Sequence, residues 1–185
     1  AASYYDMLTR DAFGNFRTLL EDVTLHPMMG RYLTFLGNEK EFGTRSPDEN
    51  YAREVMHLMT IGLRELNADG TPRLSNGQPI PTYTSDDVSG LAKVFTGFGY
   101  YHPAPVNGTF KNPLVPESFT RPMIFYPTYH STSEKKFLGT TIPGRGGTET
   151  NANVASDLKI ALDRLFNHPN TGPFIVRQLI QQLVT

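Results

Sequence analysis

Residues 48–63 read DENYAREVMHLMTIGL, a stretch in which apolar residues alternate with charged and polar ones. Its apolar residues recur every three or four positions, which is typical of an amphipathic helix. They are Tyr51, Val55, Leu58, Met59, Ile61 and Leu63. Asp48 or Ser46 can cap the amino end of such a helix. The sequence therefore predicts a helix with one buried side and one polar side.

Other segments of the chain repeat this helical pattern. Apolar stripes at helical spacing predict six further helices. They begin near Ser3, Asn15, Pro27, Ser85, Val154 and Pro173. Thr84 and Asp87 have capping-box spacing at the start of the helix at Ser85, and Asn170 is expected to cap the last helix. We expect that last helix, the helix at Ser85 and the helix of residues 48–63 to share one core.

Two segments between the helices point to short β-hairpins. Asn76-Gly77 tolerates the positive φ of a tight turn, which predicts a first excursion between Asp69 and Tyr83. A second is predicted between Pro122 and Ile142, where MIFYPTYH and KKFLGTTI read as extended segments that pair with each other. The predicted fold class is mainly α. We expect one irregular multi-helix domain over residues 1–185, with two short β-hairpin excursions and long Pro/Gly-rich loops.

The composition narrows the function classes. The chain has 17 Lys and Arg against 18 Asp and Glu, a net charge of −1 with His neutral. Because nucleic-acid binding needs clustered cations, and no cluster extends beyond Lys135-Lys136, no nucleic-acid partner is expected. No apolar run approaches the roughly 20 residues of a membrane span. With no cysteine in the sequence, disulfides, thiolate nucleophiles and cysteine-based metal sites are excluded.

Both ends of the sequence look cut from a longer protein. The chain opens with AASYYDM, without an initiator Met, and stops at LIQQLVT inside an apolar helical pattern. We therefore expect missing flanking segments of the same protein to be among its partners, and a site that they complete is not visible in these residues.

Short motifs follow one another along nearly the whole chain. They are DENYARE (48–54), TIG (60–62), YTSDDV (83–88), KFLG (136–139) and NHPNTGPFIVRQLIQQLVT from residue 167, with GNFRTLLEDVTLHPMM from residue 14 upstream of them. In this order they resemble a large bacterial family catalogued as domain of unknown function 1800. One position departs from the family pattern, because the His-Asp that often precedes the K-x-F-L-G segment is here His130-Ser131.

The resemblance has implications for the cellular location of the protein but not for its activity. Family members commonly look exported, which implies a periplasmic or extracellular location. They are typically longer than this chain in both directions, in agreement with its cut ends. The resemblance implies no established activity, and a role that depends on the missing aspartate is not carried over to Ser131.

The polar side of the helix at residues 48–63 is the first candidate site. Glu49 and Arg53 have the spacing of an i, i+4 ion pair. Asn50, Glu54 and His57 follow along another edge. Three interpretations are open: a solvated face, a polar network that anchors irregular backbone onto the helix, or a reaction centre. Anchoring is favoured, because polar groups beneath Pro/Gly-rich loops need hydrogen-bond partners.

An enzyme would use the same edge for acid/base or metal-assisted chemistry. Glu54 would act as the acid/base, and Arg53 would orient an anionic group. His57 or His130 would relay protons, and the groups should converge on one concave pocket. Glu54-x-x-His57 matches half of a di-iron element, but the chain has no second half. A metal site from Glu54, His57 and either His130 or Asp87 stays open, and the sequence identifies no cofactor.

The favoured hypothesis is an exported binding or scaffold module, and the enzyme is its alternative. Aromatic residues are dense between Gly97 and Tyr129, and aromatic platforms suit sugar faces and protein hot spots. They are Tyr100, Tyr101, Phe110, Phe119, Phe125, Tyr126 and Tyr129. A contiguous exposed aromatic surface would bind a protein or polysaccharide partner. Asn50, Tyr51 and Lys136, which lie in the motifs, are further candidate binding residues.

Overall fold

Helices form most of the regular structure. The computed structural model describes residues 2–184. The described chain contains α1 (Ala2–Asp11), α2 (Phe16–Leu25), α3 (Pro27–Tyr32), α4 (Asn50–His57), α5 (Ser85–Ala92), α6 (Asn151–Phe166) and α7 (Thr171–Leu183). Every predicted helix is present, and the mainly α fold class is confirmed.

Three short antiparallel strand pairs lie between the helices. They are β1 (Leu74–Ser75) with β2 (Gln78–Pro79), β3 (Phe98–Gly99) with β4 (Ile124–Phe125), and β5 (Lys135–Phe137) with β6 (Thr140–Ile142). The first predicted hairpin is confirmed, since Asn76 and Gly77 adopt positive φ in the β1–β2 turn. The predicted pairing of MIFYPTYH with KKFLGTTI is wrong. Strand β4 pairs with β3, while β5 and β6 form their own hairpin.

Polar side chains at the helix starts explain where two helices begin. Thr84 and Asp87 form the predicted capping box of α5. Helix α4 begins at Asn50, and the side chain of Glu49 makes no cap hydrogen bond. Asp48 Oδ1 instead accepts a hydrogen bond from the Asn50 amide at 2.8 Å. Glu49, and not the predicted Asp48 or Ser46, therefore occupies the N-cap position, while Asp48 accepts a hydrogen bond from the first residue of the helix.

Asn170 ties the start of α7 to the segment that follows α4. Asn170 occupies the predicted N-cap position of α7, but its side chain makes no cap hydrogen bond. Its Nδ2 donates to the carbonyl oxygens of Ile61 and Arg64 at 2.5 and 2.9 Å. Its Oδ1 accepts from the Leu66 amide at 2.6 Å. This buried carboxamide thus satisfies three backbone groups of an irregular segment.

An aromatic cluster joins α4 to α5. Tyr51 stacks on Phe35 with ring centroids 4.1 Å apart. Phe95 meets the two rings edge-on, at 4.8 Å from Tyr51 and 6.0 Å from Phe35. All three side chains are fully buried, and each such aromatic pair contributes about 0.5–1.5 kcal/mol beyond its area burial. The predicted shared core of α4 and α5 is confirmed.

Most of helix α7 lies outside this core. The prediction that its apolar stripe is buried is wrong, because Thr171 is its one buried residue within 171–183. The stripe residues are half-buried or exposed: Phe174, Ile175, Leu179, Ile180 and Leu183. Phe174 holds the first turn against the body, where a Cβ on Gly62 would lie 2.6 Å from its ring. Within residues 2–184 no helix has the length and apolar content needed to cross a bilayer.

Candidate functional site

Arg53 lies on the solvent side of α4, in an ion pair with Glu49. Arg53 Nη2 is 3.1 Å from Glu49 Oε2, and both side chains are more than one-third exposed. The other carboxylate oxygen of Glu49 accepts a hydrogen bond from Ser89 Oγ at 2.6 Å. The predicted i, i+4 pair is therefore confirmed, and Glu49 also links α4 to α5.

We expect Arg53→Ala to change the free energy of unfolding by less than about 1 kcal/mol, because an exposed ion pair gains little over hydration of its two charges. Urea unfolding of the purified chain measures this change. Arg53→Lys keeps the charge and should match the original protein. A loss of several kcal/mol in Arg53→Ala would contradict the exposed-pair description.

Glu54 and His57 face each other one helical turn apart. Glu54 Oε2 lies 3.6 Å from His57 Nδ1, which is longer than a normal hydrogen bond. Both side chains are partly exposed. The pair is a loose surface contact, and neither residue contacts His130 among the hydrogen bonds and ion pairs of the described chain.

The start of α4 anchors the loop that precedes it. Thr34 Oγ1 donates to Asp48 Oδ2 at 3.0 Å and lies 3.4 Å from Asn50 Nδ2. Asn38 Oδ1 accepts from the Asp48 amide at 2.9 Å. Of the predicted polar edge, Asn50 therefore contacts this loop, whereas no hydrogen bond or ion pair joins the side chains of Glu54 and His57 to another segment among the described residues.

Tyr51 and Lys136, two candidate binding residues, lie in opposite environments. Tyr51 is fully buried, and its hydroxyl lies 2.7 Å from Thr24 Oγ1. Burial raises the pKa of the Tyr51 hydroxyl well above its ordinary value. Tyr51 is therefore part of the core and presents no surface to a ligand. Lys136 is exposed, and its Nζ lies 2.7 Å from Glu134 Oε1.

His130 lies in the interior, apart from the polar edge of α4. Its Nδ1 is 2.7 Å from the Thr96 carbonyl oxygen, and its Nε2 is 3.1 Å from Asp157 Oδ2. Because the side chain is 0% exposed, His130 lines no open pocket. The predicted convergence of Glu54, Arg53 and His130 on one concave pocket does not form.

The proposed metal ligands are also not brought together. Residues 2–184 contain no group of three or more His, Asp or Glu side chains placed to hold a metal ion. Asp87 uses its carboxylate to cap α5 and to accept the Leu138 amide at 2.6 Å. His130 faces Asp157, and Glu54 faces His57. These side chains therefore do not form one coordination shell.

A buried group of charges surrounds Asp157. Lys135 Nζ lies 3.0 Å from Asp157 Oδ2. Arg145 reaches both carboxylate oxygens, at 3.0 Å from Nη1 and 2.5 Å from Nη2. Buried Glu149 lies 3.3 Å from Arg145 Nη1 through its Oε1. Together with His130, we call these residues the Asp157 cluster. It joins α6 to β5 and to the Gly-rich loop before α6.

The neighbours of Asp157 favour its ionised form. Burial raises the pKa of Asp157, but hydrogen bonds from His130, Arg145 and Lys135 outweigh it and hold that pKa well below its ordinary value. His130 contacts both the Asp157 carboxylate and the Thr96 carbonyl oxygen, and it thereby links α6 to the segment that follows α5.

Ser131, the position that departs from the family pattern, also meets a carboxylate. Its Oγ donates to Glu41 Oε1 at 2.9 Å, and Ser133 Oγ donates to the same oxygen. An aspartate at this position would place a second carboxylate beside Glu41. The serine instead supplies a hydrogen bond to Glu41. This departure from the family pattern therefore avoids repulsion between two carboxylates.

Sequence reasoning missed Lys135 and Asp157, although each carried a signal. Alternation along a strand places Lys135 on the same side as buried Phe137. Helical spacing places Asp157 on the apolar stripe of Val154 and Ala161. A charged residue at a core position of a helix or strand indicates a buried partner, because an unpaired buried charge is very costly.

The aromatic-rich segment does not form an exposed platform. Tyr100, Phe110 and Tyr126 are buried, and Phe119 is the exposed ring of the seven. Phe110 stacks on half-buried Tyr129 with centroids 4.1 Å apart. The predicted contiguous aromatic surface is therefore wrong, because most of these rings pack under their own loops.

An exposed apolar surface lies instead on α7. Its four residues are Val176, Leu179, Ile180 and Leu183, which are 51, 52, 52 and 77% exposed. Their spacing of i, i+3, i+4 and i+7 places them on one side of the helix. We call these residues the α7 face.

Two open cavities flank this helix. The larger, of about 580 Å³, lies between α7 and residues 68–70. The smaller, of about 350 Å³, lies between α7 and residues 57–66. Arg177 and Gln181 line both cavities. The two cavities therefore lie on either side of one helical ridge.

Comparison with known proteins identifies a family but no characterised relative. The family model described as "Protein of unknown function (DUF1800)" matches residues 1–185. No curated protein and no solved structure matches the chain. Its function must therefore be argued from its geometry.

Proposed function

The chain belongs to the DUF1800 family of proteins of unknown function, and we propose that it is a binding or scaffold module that takes a protein partner on the α7 face. One observation carries the proposal: four apolar side chains, each about half exposed or more, share one side of a 13-residue helix. Because an isolated helix of this length is marginal in water, contact with another surface would stabilise it.

Covering this face would contribute favourably to binding. Complete burial of a Val, Leu or Ile side chain contributes about 1.5–3 kcal/mol, so covering the exposed half of four contributes roughly 3–6 kcal/mol. The larger cavity, which Val176 and Ile180 line, offers a socket for a side chain of the partner, and such sockets concentrate binding energy. The acid/base enzyme hypothesis has no comparable support, since its residues do not converge.

The proposal includes the exported setting. The resemblance of the motifs to a bacterial family whose members commonly look exported supports it, and a partner would then be a periplasmic or extracellular protein. Fractionation of the native host tests this part separately, because a chain confined to the cytoplasm would contradict export without affecting the α7 face.

Site-specific photocrosslinking tests the function. We expect a benzoylphenylalanine at position 179 or 183 to give, in the native host, one and the same crosslinked protein, identified by mass spectrometry. Leu114 is a matched control, since it is 65% exposed but lies in a loop remote in sequence from α7. Ile180→Lys should suppress the crosslink. Equal crosslinking from positions 114 and 179, or none from either α7 position, would refute the proposal.

A further inference from the structure

We propose that the smaller of the two cavities beside α7 binds a small amphipathic anion, a molecule that joins an apolar body to one negatively charged head group. This cavity, of about 350 Å³, lies between α7 and residues 57–66. It shares no residue with the α7 face. The inference therefore goes beyond the proposed function and concerns a second, separate site.

The floor of this cavity is apolar. It is lined by Leu58, Leu63, Leu66 and Phe174. The prediction that Leu58 and Leu63 are buried with the helix of residues 48–63 is wrong, because they are 56% and 48% exposed. Their exposed surface is apolar area that a ligand can remove from water. Since a water molecule occupies about 30 Å³ in the liquid, the cavity has room for roughly a dozen groups of that size.

The two walls of the cavity are tied to each other. Buried Asn170, directly before α7, donates to the Arg64 carbonyl oxygen at 2.9 Å and accepts from the Leu66 amide at 2.6 Å. The Phe174 ring lies against Gly62, where a Cβ would be 2.6 Å from it. These contacts hold the first turn of α7 on the segment that follows α4. The cavity is therefore formed before a ligand enters, which lowers the entropic cost of binding.

The rim of the cavity is cationic. Arg64 is exposed, and within residues 2–184 its side chain makes no hydrogen bond or ion pair. Arg177 is also exposed, and its Nη1 donates to the Gly70 carbonyl oxygen at 2.8 Å, which orients the guanidinium group. The described residues that line the cavity include no carboxylate, and Glu65, next to Arg64 in the chain, is paired with Arg73 at 2.7 Å. Two guanidinium groups without a facing carboxylate favour an anionic ligand.

The size of the site favours a small molecule over a protein. Only a few apolar side chains form the floor, whereas a stable protein interface uses about 20–30 residues on each side. A volume of about 350 Å³ instead lies within the range of roughly 300–1,000 Å³ that is usual for small-molecule sites. Such sites combine an apolar lining with a few polar groups that orient the ligand. Here Arg64, Arg177 and Gln178 supply those groups.

Binding of matched probes tests the inference with the 185-residue chain. The anionic probes are octanoate and octyl phosphate, and octanol and octylamine are the neutral and cationic controls with the same hydrocarbon chain. Titration of the isotope-labelled protein followed by NMR should give saturable shifts of the backbone amides that line the cavity. We expect both anions to bind about tenfold more tightly than octylamine, with octanol between them. Added salt should narrow this difference, because it screens exposed charges.

Two pairs of variants separate charge from apolar contact. Arg64→Gln should reduce the preference for anions about threefold and leave octanol binding unchanged. Its control is Arg53→Gln, which removes an exposed guanidinium outside the cavity and should alter no affinity. Leu63→Gln should weaken the binding of all four probes about fivefold, whereas Leu114→Gln, in a loop outside the cavity, should have no effect. All four side chains are exposed, so each variant should fold.

The outcomes separate this inference from the proposed function. The absence of saturable shifts at the cavity, or equal affinity for octanoate and octylamine, would overturn the anion site. Equal effects of Arg64→Gln and Arg53→Gln would overturn it as well. Sedimentation with anionic vesicles, without binding of the dissolved anions, would assign the cationic rim to a membrane surface and also overturn it. None of these results bears on crosslinking from positions 179 and 183, which lie outside this cavity.

Discussion

Asp157→Asn is expected to lower the free energy of unfolding by about 3–5 kcal/mol, which is the usual cost of removing one partner from a buried ion network. The carboxylate accepts hydrogen bonds from Lys135, Arg145 and His130. The variant's amide has a single acceptor oxygen, and its NH₂ group would face donors. Urea unfolding monitored by circular dichroism measures the loss.

The pH dependence of this loss gives a second readout. Burial raises the pKa of Asp157, but its three donors hold that pKa below the ordinary value. A depressed native-state pKa contributes stability that is present above the unfolded-state pKa of about 3.9 and disappears as pH falls through the native value. The stability difference between the original chain and Asp157→Asn should therefore narrow below about pH 4.

Asp163→Asn is the matched control, because it lies on the same helix and undergoes the same chemical change. Asp163 pairs with Lys159 and Arg17, and its side chain is 38% exposed. We expect it to cost less than about 1 kcal/mol. Equal losses in the two variants would show that the Asp157 cluster does not stabilise the fold as a buried network.

Local sequence signals were sufficient for the helices and failed for the strand pairs. Thr84 and Asp87 define the start of α5 because a capping box depends only on residues three positions apart. By contrast, β3 is two residues long and pairs with β4 across the intervening loop of residues 100–123. No alternation pattern exists in two residues, and the partner is chosen by tertiary packing. The pairing could therefore not be predicted from periodicity.

The same distinction applies to the candidate site. Spacing correctly predicted the Glu49–Arg53 pair, because both residues lie on one helix. His130 was singled out for proton transfer, but its partner Asp157 lies 27 residues away and carried no motif. The exposure of Leu179 could also not be predicted, because periodicity identifies an apolar face but not whether another segment covers it.

Gly90→Ala is expected to destabilise the chain by at least about 3 kcal/mol, although alanine is favoured over glycine in helices by about 1 kcal/mol. A Cβ at Gly90 would lie 1.7 Å from the carbonyl oxygen of Lys136. Backbone atoms cannot move aside as a flexible side chain can, so β5 would have to separate from α5. That movement would also withdraw Lys135 from Asp157. Thermal and urea unfolding measure the loss.

Gly172→Ala isolates the steric cause. Gly172 lies near the start of α7, where an added Cβ would meet no atom within 4 Å apart from its chain neighbours. The same substitution should there change the free energy of unfolding by less than about 1 kcal/mol, because the lower entropy of the unfolded state is offset by the restriction that Pro173 places on the residue before it. A large loss at Gly90 without a comparable loss at Gly172 would attribute the effect of Gly90 to its contact with β5. A neutral Gly90→Ala would mean that α5 and β5 are not in the close contact that holds Lys135 in the interior.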